Sequence, residues 1–157
     1  TIIIALLFIV NASCTTYSSM CGALPSSCLV QSRNLMLFIN GTTFRGRAFY
    51  SDEITVGIGS CGYTPESVGK YVAGMPFDFM PMSRNNDICN TMCNELCGGW
   101  MLVVNPETQQ QIQVLVMDSA SSSAGIVLSK EAFEAVGGTI KKGYVDVDFQ
   151  IVALPLR

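Results

Sequence analysis

Asp118 is the side chain best placed for chemistry. It follows the alternating run QIQVLV at residues 111–116 and heads a loop of small residues, 119–125. An acid just past a strand end, beside Ser and Ala, is exposed and positioned, which is where binding grooves form. There it can accept hydrogen bonds from ligand hydroxyls, and charge-assisted bonds are about twice as strong as neutral ones. It can equally cap its own turn by accepting from residues 119–122 or from nearby backbone amides. Tyr50 ends the stretch GRAFY and Tyr63 follows GIGSCG. Each either offers a ring face to a ligand or packs into the core with its hydroxyl at the edge. The chain has no histidine. That rules out Ser-His-Asp and Cys-His arrangements and removes the commonest zinc ligand. Asp146 and Asp148 share one strand face and read as outward polar residues. Lys141 and Lys142 read as a solvated turn, and Trp100 as core.

The elements that must position these groups follow from periodicity. Residues 100–104 are an apolar run that reads as a strand, and Asn105-Pro106-Glu107-Thr108 is a turn. Residues 111–116 alternate with the period of a half-buried strand and deliver Asp118 to its loop. A short apolar bridge at 126–128 leads to Ser129, a good N-cap for a helix over 130–136. Further strands are expected at 46–50, 71–75 and 143–153. In the last, Val145, Val147, Phe149, Ile151 and Ala153 face one side and Asp146, Asp148 and Gln150 the other. The glycines of GIGSCG are spaced G-x-G-x-x-G, but no strand–helix context or acidic partner follows, so they read as a structural turn. Short strands, one brief helix and frequent glycine turns predict a small β-barrel.

A chain of 157 residues suits one domain with a real core. Its net charge of −3 and the lack of a basic stripe argue against nucleic acid and anionic membranes as partners. Residues 1–13 begin TIIIALLFIV, too short to span a membrane, and read as the remnant of a secretory signal; a buried strand is the alternative. No later segment is long and apolar enough to span one. Residues 14–44 form an N-terminal extension carrying Cys14, Cys21 and Cys28, and residues 45–157 the barrel domain. Asn40-Gly41-Thr42 fits the N-glycosylation acceptor pattern. With Cys61, Cys89, Cys93 and Cys97 the total is seven cysteines. In an exported chain these suggest disulfides, whose pairing the sequence leaves open, with one thiol over. Cys89, Cys93 and Cys97 would share a helix face but lack a fourth ligand, so no metal and no cofactor is expected.

The order of these motifs resembles the expansin-like and barwin-like double-psi β-barrels. GRAFY and then GSCGY are similar to the family's opening, and CGGW stands at its C-G-x-C. VLVMDSASSS stands at its V-x-V-x-D-x-C-P-x-C, IVLSKEAF at its [IL]-D-L-S-x-x-A-F, and GYVDVDFQIV at its closing strand. The resemblance covers about residues 45–153 and implies an all-β, six-stranded, disulfide-stabilised double-psi barrel with one or two short helices. It also implies two acids facing one groove. The first is present as Asp118, whereas the second position is Val127. Ala48 stands at the family's threonine, Ala120 and Ser123 at its two cysteines, and Trp100 at the second cysteine of C-G-x-C. Hydrolytic members need paired carboxylates, so the chain is expected not to be an enzyme. The resemblance implies a secreted, extracellular protein that binds polysaccharide or cell-wall glycan without hydrolysis, in an open groove with Asp118, Tyr50 and Tyr63. A secreted protein-interaction module, protease-inhibitor-like or an effector, is the alternative. A glycoside hydrolase or lytic transglycosylase is the remaining class.

Overall fold

The computed structural model describes residues 33–76, 78–80, 94–120 and 125–155. The expected signal remnant, and Cys14, Cys21, Cys28, Cys89, Cys93 and Ser123, lie outside them. Six strands, β1 (Phe44–Tyr50), β2 (Val72–Met75), β3 (Trp100–Val104), β4 (Gln111–Ser119), β5 (Gly125–Leu128) and β6 (Tyr144–Ala153), close into a barrel. Their order around it is β1-β5-β2-β4-β3-β6. Two pairs are parallel, β1 with β5 and β2 with β4, and the rest antiparallel. The closed barrel leaves no strand edge open to association. Among the described residues, three short helices accompany it: α1 (Arg33–Ile39), α2 (Pro65–Val68) and α3 (Lys130–Ala135).

Alternation fixes which side chains enter the barrel. Val145, Val147, Phe149 and Ile151 of β6 are buried, as their period required, and they meet Met101 and Val103 of β3. One end is filled by rings. Phe38 of α1 lies 5.2 Å from Phe79 and 5.7 Å from Phe149, and Phe44 lies 5.0 Å from Phe79, all edge-to-face. Packing against the barrel therefore includes Leu35 and Phe38, ahead of residue 45. Asn40 follows α1 in an exposed turn.

A second, smaller apolar cluster sits on the outside of β2 and β4. Val72, Leu115 and Met117 are covered there by Ile54, from a 3-10 turn at Glu53–Thr55. Two local readings change. Trp100 keeps 41% of its surface exposed, because its register partner Leu115 faces outward. Ser129 precedes α3 without a side-chain cap. Its hydroxyl instead donates to the Lys70 carbonyl and accepts from Val72 N–H at 3.4 Å, tying the helix start to β2.

Candidate functional site

Asp118 reaches the outer face of the barrel through a bulge. Ile112, Val114 and Val116 of β4 point inward, so strict alternation would send Asp118 inward too. The β2–β4 register shifts between Ala73 and Gly74: Val116 pairs with Ala73 and Asp118 with Gly74, leaving Met117 unmatched. One extra residue reverses the phase, and Asp118 turns out.

From Asp118 a row of paired residues crosses five strands. Gly74 of β2 pairs with Asp118 and with Val127 of β5. Val127 pairs with Phe49 of β1, and Phe49 with Tyr144 of β6. At strand spacing the row is about 19 Å long. The two groove positions implied by the resemblance, Asp118 and Val127, thus share one row, on either side of a glycine.

The segment between β1 and α2 closes the Asp118 end. Asp118 Oδ1 accepts from Ser60 N–H at 2.9 Å and from Ser119 N–H at 2.8 Å. Its other oxygen bonds no described residue. Ser119 N–H also donates to Ser60 Oγ at 2.8 Å, and Cys61 N–H to the Met117 carbonyl at 3.2 Å. A disulfide joins Cys61 to Cys97. These ties hold the segment so that Ile54 lies over Gly74: a Cβ there would stand 3.3 Å from Ile54 Cδ1. Val127 packs against the same outer cluster. Ile54 thus stands over the glycine between the two groove positions, where a hydrolytic pair would need room for a bond and a water.

The two tyrosines singled out from the sequence are packing residues here. Tyr50 pairs with inward Leu128, and its ring lies 5.5 Å from that of Phe133 in the core. Tyr63 is half-buried against both clusters, with its hydroxyl over Gly98, whose φ of +79° and missing Cβ make room for it. Ala48 is also fully buried on the inner side. The aromatic of β1 on the outer row is Phe49, and its partner is Tyr144, with ring centroids 6.5 Å apart. Alternation in β1, where Phe49 shares its face with Arg45 and Arg47, would have found Phe49, and the parity of β6 would have found Tyr144.

Beyond the aromatics the outer face of β1 and β6 carries a polar ladder. Thr43 bonds Gln150 at 2.7 Å, and Arg45 grips Asp148 with two bonds, 2.7 and 3.0 Å. That grip lowers the Asp148 carboxyl from its ordinary value and raises the Arg45 guanidinium, the hydrogen bond being the larger cause in each. Arg47 stands 3.6 Å from Asp146 and 4.4 Å from the centre of the Tyr144 ring. Lys142 lies 4.7 Å from the same ring. Asp146 and Asp148 face outward, as the strand period implied. Among the described residues, no three His, Cys, Asp or Glu side chains gather as a metal site would need.

No protein-family model matches the chain, and no curated protein matches it. Solved structures do. A mutant Clavibacter michiganensis expansin in complex with cellohexaose is 20% identical at a TM-score of 0.54, over 74% of this chain and 53% of that one. The Streptomyces papain inhibitor is 22% identical at 0.57, over 71% and 94%. Cerato-platanin 3 from M. perniciosa is 17% identical at 0.51, over 69% and 94%. The chain spans about half the length of the expansin it matches. The fold is the one these proteins share.

Proposed function

We propose that this double-psi β-barrel is a secreted, non-hydrolytic binder of polysaccharide or cell-wall glycan. The observation that carries the reading is the state of the two groove positions. Asp118 spends one oxygen on backbone amides, and Val127, a half-buried hydrocarbon side chain packed against the outer apolar cluster, stands at the second position. A glycosidic oxygen placed there would find no acid to protonate it, and such help is worth about 10²–10⁴ in rate. The Asp118 oxygen that bonds no described residue is left as an acceptor at the margin of the row, beside the segment that closes it. Past Val127, Phe49 and Tyr144 offer half-exposed aromatic surface, while Tyr50 and Tyr63 are half-buried against the core. Binding of cellohexaose by a protein of this fold supports the reading. The test is a pull-down of the protein on insoluble cellulose, chitin and peptidoglycan, with reducing sugar measured in the same tubes. Retention without release is expected, and release of sugar would revive the hydrolase.

A second reading, a protein-interaction module, is favoured by one feature. Val56 and Ile58 are 75% and 73% exposed on either side of Gly57, on the segment anchored by the Cys61–Cys97 disulfide. Two bare aliphatic side chains on a fixed loop suit an apolar pocket of a partner protein. The papain inhibitor, a protein of this fold, supports this reading. Inhibition of papain, lost on Val56→Ser with Ile58→Ser, would select this reading. Absence of inhibition would discard its protease-directed form.

A further inference from the structure

The outer face of β1 and β6 forms the floor of a cleft of about 550 Å³, lined by Arg45, Gly46, Arg47, Pro106, Glu107 and Asp146. That volume is within the range of small-ligand sites. Its wall, the turn between β3 and β4, is built rigidly. Asn105, only 5% exposed, accepts at Oδ1 from Glu107 N–H at 3.0 Å and from Thr108 N–H at 3.3 Å. Its Nδ2 donates to the Val136 carbonyl at 3.1 Å, roping the turn to the end of α3. The Gln109 side chain bonds the Pro106 carbonyl at 2.9 Å. Pro106 and Glu107 therefore stand at a fixed height above the strands, and a preorganised wall costs a ligand little ordering.

The polar groups inside are unequally committed. Arg45 is spent on Asp148 by its two bonds. Arg47 is held by its stacking on Tyr144, which engages the guanidinium face and leaves its in-plane donors. Its 3.6 Å approach to Asp146 is longer than a hydrogen bond, and both side chains are 55% exposed. With Arg45 paired to Asp148, the cleft holds one uncommitted donor fork, Arg47, together with two carboxylates, Asp146 and Glu107. An anion would meet the carboxylates and a cation the Arg47 guanidinium. Neighbouring hydroxyls, each donor and acceptor at once, satisfy both.

We propose that this cleft is a subsite for one neutral sugar residue, with Arg47 donating to its hydroxyls and Asp146 and Glu107 accepting from them. The proposal rests on the glycan reading above and extends the row past Tyr144, so that a chain lying over Val127, Phe49 and Tyr144 would end in the cleft.

The test measures binding of cellohexaose, chitohexaose and polygalacturonate to the full chain by calorimetry, for the wild type and for Arg47→Gln, Asp146→Asn and Glu107→Gln. Each substitution is expected to weaken neutral oligosaccharide binding about tenfold by removing a charge-assisted bond. The melting temperature should stay put, since all three residues are exposed. Glu107→Gln keeps the test alive if Arg47→Gln disturbs Tyr144. Wild-type binding with three unaffected variants would overturn the cleft and leave the glycan reading intact. Failure of the wild type to bind either neutral probe would overturn both. Tighter binding of polygalacturonate would overturn the choice of a neutral sugar.

Discussion

Replacing Asp118 by alanine separates its two roles. The carboxylate is the only described acceptor for Ser60 N–H, at 2.9 Å, whereas Ser119 N–H has a second acceptor in Ser60 Oγ at 2.8 Å. Asp118→Ala therefore orphans one part-buried amide and weakens the hold on another. An unsatisfied donor costs about 1–3 kcal/mol, so a loss of about 2 kcal/mol is expected. For a domain of this size that lowers the melting temperature by roughly 6–10 °C. Asp118→Asn retains an acceptor oxygen at the same place and should lose less than half as much. Thermal melts followed by circular dichroism give the stabilities. Amide exchange at Ser60 locates the effect: protection should fall in the alanine variant and persist in the asparagine one. If both variants melt with the wild type and Ser60 stays protected, the carboxylate does not anchor the segment, and the argument that the groove end is closed fails with it.

Reducing the Cys61–Cys97 disulfide, or Cys61→Ser, opens a loop of 36 residues; the chain-entropy relation puts the loss at about 4 kcal/mol, to be read from denaturant unfolding. Asn105→Ala removes three hydrogen bonds from a buried side chain and should cost about 2–4 kcal/mol, while weakening glycan binding by freeing the cleft wall. Gly125→Ala would drive a Cβ into the Arg47 carbonyl, so the β1–β5 pair should open and exchange faster. The Asp148 carboxyl is lowered in the folded state by its bond to Arg45. Its contribution is then present above the unfolded value near about 3.9 and disappears as pH falls through the folded one. The gap in melting temperature between wild type and Arg45→Gln should therefore exist at neutral pH and close in acid.

The barrel was legible because its strands keep strict periods. Residues 100–104 and the alternation of β6 as far as Ile151 appear as the sequence implied, whereas Ala153 is exposed because the β3–β6 register shifts between Trp100 and Met101; the 105–108 turn forms around the Asn105 side chain. The candidate site was less legible, for physical reasons. A single unmatched residue, Met117, reverses the facing of Asp118, and a bulge leaves no mark in a period-two pattern. Tyr50 is the more sugar-like of two adjacent aromatics, but parity puts Phe49 outside. Trp100, at the family's cysteine position, reads as core from the sequence, yet its pairing with outward Leu115 exposes it. The covering of Gly74 by Ile54 joins residues far apart in the chain, and nothing local announces it. The Cys61–Cys97 pairing likewise joins two of seven cysteines that spacing could not match.

The central claim is that polysaccharide lies on the outer faces of β5, β1 and β6 and leaves uncut. The most direct measurement is an NMR titration of isotope-labelled protein with cellohexaose and chitohexaose, with the sugar analysed by mass spectrometry afterwards. The account predicts saturable shifts at Arg47, Phe49, Val127, Tyr144 and Asp146, and an intact hexasaccharide. Shifts confined to the Val56–Ile58 loop, no shifts at all, or shortened sugar would contradict it.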